Sequence, residues 1–154
     1  MQLTFPHTAQ SNSPAETESL GARLAGMLQD DATLPRFVAL YGDLGVGKTA
    51  FVRGFASLLS PESLVRSPTF TLVNEYRNKT TKKSLFHFDM YRIDDEDSLD
   101  SIGYWDYLER GGYCFVEWSE KIPFALPDVY YRLEIRKHPD DENARTITIT
   151  KEKS

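Results

Sequence analysis

Residues 42–49 read Gly-Asp-Leu-Gly-Val-Gly-Lys-Thr and have the types and spacing of a loop that binds a chain of phosphates. Such a loop wraps its backbone N–H groups around the phosphates, and it needs glycines because side chains would block that approach. Lys48 can reach the outer phosphates with its positive charge, and the Thr49 hydroxyl can ligate Mg²⁺. The pattern therefore predicts a site for a nucleotide and Mg²⁺. The predicted nucleotide contacts are Gly42, Asp43, Leu44, Gly45, Val46, Gly47, Lys48, Thr49 and Ala50.

The residues on either side supply the elements that such a loop requires. Phe37–Tyr41 is a continuous apolar run, typical of a strand buried on both faces. A helix is predicted after the loop and ends at Ser60-Pro61. The N-terminal dipole of this helix points at the same phosphates. A chance glycine-rich turn is a poor explanation in this context. The predicted apolar face of the helix consists of Phe51, Phe55, Leu58 and Leu59.

The bulk composition limits the classes of protein to consider. The chain has 154 residues, enough for one domain with a substantial core. Its net charge of −5 argues against a protein that holds nucleic acid through a broad basic surface of its own. The single cysteine excludes an internal disulfide and fits a reducing compartment. No apolar run is long enough to span a membrane, and no signal peptide is recognisable. We expect a single domain over residues 1–154, located in the cytoplasm.

One predicted strand ends in an acid that suits metal binding. The sequence Tyr-Cys-Phe-Val-Glu-Trp, residues 113–118, places four largely apolar residues before Glu117. A buried parallel strand of this kind presents a carboxylate beside a phosphate loop, where it ligates Mg²⁺ directly or through water. Cys114 in this strand is most simply a small buried hydrophobic residue.

A second carboxylate comes at the end of the predicted strand Ser84–Met90. Alternation along this strand places His87 and Asp89 on one face. Asp89 either orients water or metal or forms a structural pair with Arg92, and the spacing alone does not choose between these roles. His87 is better interpreted as a hydrogen-bonded structural residue than as a proton carrier.

The N-terminal part predicts a strand and a helix before the loop. Gln2–Pro6 is predicted as a short edge strand. Ser13 can cap the helix that follows, with Pro14 at its first position and Glu16 completing a capping box. Thr17 lies in the first turn, where it either contacts a nucleotide or faces solvent, and its residue type favours the solvent. The predicted buried face consists of Leu20, Leu24, Met27 and Leu28.

The segment between the loop helix and Asp89 predicts a β-hairpin whose first strand starts at Phe70. Its polar connection, Asn78–Lys83, is interpreted as a solvated turn rather than as a binding patch, although it contains Lys79, Lys82 and Lys83. One or two short helices are predicted next, and they end at Gly111-Gly112. Their apolar residues at near-helical spacing are Leu99, Ile102, Trp105 and Leu108.

The C-terminal part predicts an antiparallel hairpin because hydrophobic and polar residues alternate at 129–136 and again at 145–150. A polar turn is expected near Pro139 to Asn143. Arg145 starts the second strand, where it either reaches a nucleotide or pairs with a carboxylate, and pairing is favoured. Residues 151–154 are expected to fray.

Four segments occur together in the order and spacing of one family. They are the loop at 42–49, Ser-Pro-Thr-Phe-Thr-Leu-Val-Asn-Glu-Tyr at 67–76, His-Phe-Asp-Met-Tyr-Arg at 87–92 and Val-Glu-Trp at 116–118. With these motifs the chain closely resembles the TsaE (formerly YjeE) family of small bacterial P-loop ATPases, from about Thr17 to Arg145. The resemblance implies a three-layer α/β P-loop NTPase domain whose mostly parallel sheet is extended by antiparallel hairpins.

The resemblance also implies a role in making threonylcarbamoyladenosine, the modified adenosine beside the anticodon of some tRNAs. Family members act with TsaD, which transfers the threonylcarbamoyl group, and with TsaB. ATP and Mg²⁺ are the implied cofactors, and ATP hydrolysis supports repeated turnover. The tRNA is reached indirectly through these partners, which agrees with the acidic composition, and no membrane is involved.

Roles for individual residues follow from the same resemblance. Lys48 and Asp89 become the implied catalytic residues, with Asp89 acting on the attacking water. Thr49 and Glu117 become the Mg²⁺ ligands, and Thr17 becomes a nucleotide contact. The implied switch or partner-sensitive positions are Ser67, Thr69 and Trp118.

Two other functions fit a phosphate loop and are kept as alternatives. A small-molecule kinase would use the same scaffold, but it usually needs an arginine-bearing lid, and no arginine cluster follows the loop helix. A nucleotide-gated interaction module would bind ATP and hydrolyse it only incidentally. For hydrolysis, the spacing assigns no arginine finger, and Arg66 and Arg92 are candidates only.

Overall fold

The computed structural model describes residues 3–43 and 45–153. In order, the elements are β1 His7–Ser11, α1 Pro14–Asp30, β2 Phe37–Tyr41, α2 Lys48–Leu59, β3 Val73–Arg77, β4 Ser84–Asp89, α3 Glu96–Ser101, α4 Tyr104–Glu109, β5 Tyr113–Glu117, β6 Val129–His138 and β7 Asp141–Lys153. Two short 3₁₀ turns, Ser119–Lys121 and Pro123–Ala125, connect β5 to β6. No helix in these described ranges is long and apolar enough to cross a membrane.

All seven described strands form one mixed sheet in the order β1-β7-β6-β2-β5-β4-β3. The central strands β6, β2, β5 and β4 are parallel, and the pairings outside them are antiparallel hairpin or edge contacts. Leu40 and Asp89 both lie opposite Glu117 in their pairings with β5. Because parallel strands end at the same edge, the loop after β2 and the ends of β4 and β5 converge there.

Helices cover both faces of the sheet. On one face α1 and α2 pack over a core that includes Phe55, Leu85 and Phe115. On the other face α3 and α4 pack over Phe86 and Phe88. Strand β4 contributes to both cores, because its side chains alternate between the two faces of the sheet as the sequence pattern predicts.

Helix α1 approaches α2 closely because each helix has a glycine at the crossing. A Cβ atom on Gly54 would come within 1.9 Å of the Glu18 carbonyl oxygen, and one on Gly21 within 2.2 Å of the Phe51 carbonyl oxygen. The absence of these side chains lets the two backbones touch. This contact fixes the start of α1 beside the start of α2.

Several predicted elements are confirmed with small shifts. The bounds of β2 are those predicted, and β5 ends at Glu117 as expected. Ser13 caps α1 as predicted, because its side-chain oxygen accepts a hydrogen bond from the Glu16 N–H. The second bond of the predicted capping box differs: the Glu16 carboxylate accepts from the Asn12 N–H and not from the Ser13 N–H. The sulfur of Cys114 is buried, and this burial raises its pKa to about 12, in keeping with a packing role.

Other predictions about the strands are wrong. The edge strand is His7–Ser11 and not Gln2–Pro6; Gln2 itself lies outside the described residues. Pro6 has no N–H to donate, and the pairing with β7 begins at the next residue. Residues 151–153 do not fray, because Lys153 pairs with Val129 at the end of β7.

Two hydrophobic residues also depart from their predicted places. Phe70 precedes β3 in a turn and is 86% exposed, so the strand starts three residues later than predicted. Leu58 is 52% exposed, although it was placed on the buried face of α2. That face instead includes Val52 and Ala56, since α1 and the sheet enclose α2 from two sides.

The glycine contact between α1 and α2 gives a stability prediction. Gly54→Ala forces a Cβ against the backbone of α1 and should lower the free energy of unfolding by about 3 kcal/mol. Gly26→Ala is the matched control, because its Cβ meets only the end of the Leu58 side chain at 3.8 Å. It should be neutral or stabilising by up to about 1 kcal/mol through helix propensity. Urea titration of both variants measures the difference, and equal stabilities would contradict the close-contact argument.

Candidate nucleotide-binding site

The loop after β2 has the backbone shape that a phosphate cradle requires. Gly42, Gly45 and Gly47 have φ angles of +136°, +78° and +116°, which side-chain-bearing residues rarely adopt. A Cβ on Gly42 would also come within 2.5 Å of the Ile135 carbonyl oxygen. Asp43 and Gly45 are exposed, and Leu44 lies outside the described residues. No side chain caps the N-terminus of α2, so its backbone N–H groups face the loop.

Lys48 lies across the mouth of this loop. Its Nζ donates a hydrogen bond to the Gly42 carbonyl at 2.7 Å and lies 3.6 Å from Oε1 of Glu117. The side chain is buried, and these two oxygens offset the cost of removing its ammonium group from water. The ammonium group is therefore already held at the loop and can exchange the carbonyl for a phosphate oxygen.

Glu117 is buried between Lys48 and His87. Its Oε2 lies 2.7 Å from Nε2 of His87, which is fully buried. Burial alone would raise the pKa of Glu117, but contact with His87 and with Lys48 outweighs burial, and the pKa is lowered. The carboxylate is thus kept ionised. The buried position of His87 beside Glu117 agrees with a structural role, but the predicted hydrogen bonding is not met, because neither ring nitrogen has a hydrogen-bond partner among the described residues.

Asp89 lies beside Glu117 at the end of the adjacent strand. Its Oδ1 accepts the Tyr91 N–H at 2.9 Å, and its own N–H donates to the Leu72 carbonyl at 2.9 Å. The structural pair with Arg92 does not form: within the described residues no cation lies within 4 Å of the Asp89 carboxylate. One carboxylate oxygen therefore stays available to a water molecule.

The turn before β3 is tied to Asp89 through Leu72. Leu72 has a φ of +70°, and its N–H donates to the Pro68 carbonyl at 2.8 Å. Ser67 and Thr69 share a hydrogen bond between their hydroxyl groups at 2.8 Å. They lie in this turn and contact neither Lys48 nor Glu117 in the described part of the chain. Their predicted role as switch or partner-sensitive positions stays a prediction.

Trp118 follows Glu117 in the left-handed region, with a φ of +59°. This turn directs its indole over the loop, where the Lys48 Nζ lies 6.0 Å from the ring centre. Tyr91 packs against the indole with the two ring centres 4.9 Å apart. Tyr91 was given no role from the sequence, although it lies within the motif at 87–92 that carries the family resemblance.

Thr17 and Arg145 contact the loop from two sides, and the predicted surroundings of both residues are wrong. Thr17 is only 2% exposed, so the solvent-facing interpretation is wrong, and its hydroxyl lies 2.7 Å from that of Ser11. Arg145 does not pair with a carboxylate; its guanidinium donates to the carbonyls of Val46, Glu142 and Ala144. With Gly45, Val46, Gly47 and Ala50 they line a cavity of about 150 Å³.

A larger cleft of about 540 Å³ opens on the other side of Lys48. Arg132 lies in it, with its guanidinium 4.2 Å from the ring centre of Tyr41 and 3.6 Å from the Glu134 carboxylate. Sequence reasoning gave no reason to place Arg132 here, because β6 shows only a regular alternation. Its position depends on the pairing of β6 with β2.

The residues at this edge fit a triphosphate and Mg²⁺. The glycine-rich loop at the N-terminus of α2 suits phosphate oxygens, and Lys48 supplies a cation there. No group of three or more His, Cys, Asp or Glu side chains is arranged to hold a metal within residues 3–43 and 45–153. Mg²⁺ usually takes one or two carboxylates together with phosphate and water oxygens, so a site with few protein ligands is compatible with this ion.

Comparison with known proteins gives the family. The family model described as "Threonylcarbamoyl adenosine biosynthesis protein TsaE" matches residues 11–147. This match includes the loop, both strand-end carboxylates and the turn before β3. The chain belongs to the TsaE family.

Curated TsaE proteins are similar over most of their length. The tRNA threonylcarbamoyladenosine biosynthesis protein TsaE of Bacillus subtilis is 36% identical over 135 residues, covering 88% of this chain and 80% of that protein. The Aquifex aeolicus protein of the same name is 38% identical over 139 residues, covering 89% and 90%. The crystal structure of Bacillus subtilis YdiB superposes with a TM-score of 0.71 at 29% identity, covering all of this chain and 90% of that one.

The position of Trp118 gives a spectroscopic prediction for this TsaE-family site. Adding ATP with Mg²⁺ should change the intrinsic tryptophan fluorescence. The Lys48 ammonium group lies near the Trp118 indole, and it would exchange the Gly42 carbonyl for a phosphate oxygen, which changes the surroundings of the indole. Trp118→Phe should abolish the change. Trp105→Phe is the control, since Trp105 is similarly exposed, at 41% against 36%, but lies on α4 against Tyr104. A signal that survives in Trp118→Phe and disappears in Trp105→Phe would place the nucleotide elsewhere.

Proposed function

We propose that this chain is a single-domain P-loop ATPase, dependent on Mg²⁺, that acts with TsaD and TsaB in making threonylcarbamoyladenosine in tRNA. The family assignment supports the pathway. ATP hydrolysis is supported by one observation: Lys48, Glu117 and Asp89 come together at the end of the glycine-rich loop.

Each of these residues has a distinct part in the proposed hydrolysis. The loop N–H groups and Lys48 bind the phosphates and stabilise the negative charge that develops on the outer phosphoryl group. Thr49 and Glu117 would hold Mg²⁺, which when bound neutralises phosphate charge. Asp89 accepts a hydrogen bond from the attacking water and orients it towards the phosphorus atom.

Intrinsic turnover should be slow. The sequence spacing assigns no arginine finger, and within the described residues no arginine guanidinium contacts the side chains of Lys48, Glu117 or Asp89. Arg66 and Arg92 stay candidates for this role. A partner protein that supplies or positions such a cation would raise the rate, which is why TsaD and TsaB are expected to modulate activity.

A small-molecule kinase is the second candidate, and one observation favours it. The cleft of about 540 Å³ beside Lys48 is lined by Arg132, Arg136 and Lys137, which could bind an anionic acceptor. Both arginines already contact the Glu134 carboxylate, at 3.6 and 2.9 Å, which lowers their capacity to bind another anion. Hydrolysis is therefore preferred.

Phosphate release from ATP with Mg²⁺ tests the catalytic assignment. Lys48→Ala should lower the rate by about 10²–10³-fold, because it removes a preorganised charge at the transferred phosphoryl group. Asp89→Asn should lower the rate by about 10²-fold while ATP still binds. Asp106→Asn, on the exposed surface of α4, is the matched control and should have no effect. Unchanged phosphate release by Lys48→Ala would contradict hydrolysis at this loop.

Addition of purified TsaD and TsaB tests the pathway and separates the alternatives. We expect the pair to accelerate phosphate release, and Asp89→Asn to bind the pair without supporting repeated threonylcarbamoyl transfer. Full support by Asp89→Asn would instead indicate a nucleotide-gated module whose hydrolysis is incidental. Phosphate passed from ATP to a metabolite, with no response to the pair, would identify a kinase.

A further inference from the structure

A cleft rich in cations lies at the edge of the sheet opposite to the nucleotide loop. It has a volume of about 640 Å³ and includes five basic side chains, hereafter the basic cleft: Arg36, Arg77, Lys82, Lys83 and Arg110. Arg36 directly precedes β2, and Gly112, another lining residue, directly precedes β5. The cleft is therefore where these parallel strands begin, and roughly 15 Å of strand separates it from their carboxyl ends.

The charge of the basic cleft is opposite to that of the rest of the molecule. No aspartate or glutamate lines it. The chain has 18 basic and 23 acidic residues, so the remainder carries a net charge of −10 once these five cations are set apart. A local concentration of positive charge on an acidic protein indicates attraction to an anion at one place rather than over a broad face.

Two of the arginines are held in place by the fold. Arg36 donates to the Gly111 carbonyl at 2.7 Å, and its guanidinium lies 5.5 Å from the ring centre of Tyr113. Arg110 forms a two-bond pair with the Glu75 carboxylate, and its guanidinium lies 4.8 Å from the ring centre of Phe86. Their ordered positions reduce the entropy that binding would cost.

The other cations of the basic cleft have no acidic partner. Within the described part of the chain no carboxylate oxygen lies within 4 Å of Arg77, Lys82 or Lys83. The side-chain nitrogen of Gln29, which also lines the cleft, is buried and has no hydrogen-bond acceptor among these residues. The prediction of a solvated turn is confirmed, because Lys79, Lys82 and Lys83 are all exposed, and the strand order in addition brings distant arginines beside Lys82 and Lys83.

We propose that the basic cleft binds an acidic segment of a partner protein. Among the described residues Arg77, Lys82 and Lys83 have no carboxylate partner, so these cations remain able to pair with the carboxylates of a bound segment. A nucleic acid is disfavoured because the aromatic side chains of the lining, Phe86 and Tyr113, are buried and offer no face for base stacking. The acidic remainder of the molecule would also repel an extended polynucleotide. This inference does not rest on ATP hydrolysis, because it concerns the other edge of the sheet.

Fluorescence anisotropy with a dye-labelled short peptide of aspartate, glutamate and glycine tests the proposal. The wild-type protein should bind it, more weakly as salt increases. Lys82→Glu with Lys83→Glu should weaken binding at least tenfold, with ATP binding unchanged. Lys151→Glu with Lys153→Glu is the matched control, since it alters net charge equally on exposed positions of β7 and should leave peptide binding within about twofold.

Nuclear magnetic resonance of the wild-type protein adds a readout that needs no variant. Addition of the peptide should shift the amide signals of residues 36, 77, 82–83 and 110–112 most strongly. No binding, shifts centred elsewhere, or equal weakening in the two double variants would overturn the proposal. Tighter binding of an RNA duplex of equal charge at the same residues would also overturn it and make the cleft an RNA site.

Discussion

The contact between Lys48 and Glu117 is the interaction on which the arrangement of the site depends. It joins the first residue of α2 to the last residue of β5, with 3.6 Å between the ammonium nitrogen and a carboxylate oxygen. Both groups are buried, so each needs the other, and His87 supports the second carboxylate oxygen. The parallel pairing of β5 with β2 and β4 is required for this contact, because it brings the loop, Glu117 and Asp89 to one edge.

The packing of α1 against α2 positions residues on the other side of the loop. Gly21 and Gly54 allow the helices to touch, and the start of α1 then places Thr17 against Gly47. The C-terminal hairpin contributes Arg145, which donates to the Val46 carbonyl and so ties the loop to β7. Three segments far apart in the chain thereby line one cavity at the glycine-rich loop.

The two edges of the sheet have different electrostatic character. At the carboxyl ends, Lys48 is paired with the Glu117 carboxylate, and Asp89 lies opposite Glu117 on the neighbouring strand. At the opposite ends, the basic cleft collects five cations, of which, among the described residues, only Arg110 is paired with a carboxylate. A protein that binds a nucleotide at one edge and a partner at the other can keep both occupied at once, since the strands between them separate the two sites.

The sequence by itself determined the local elements: the loop at 42–49, the strand before it and the buried strand that ends in Glu117. These follow from glycine spacing and hydrophobic periodicity, which depend on neighbours a few residues away. Only the tertiary structure decided that Thr17 is buried, that Arg145 contacts carbonyl groups and that Phe70 is exposed. It also decided that Arg36, Arg77 and Arg110 join the lysines at 82–83. The physical reason is that such contacts depend on strand order and helix crossing, and no local pattern encodes which distant segments become neighbours.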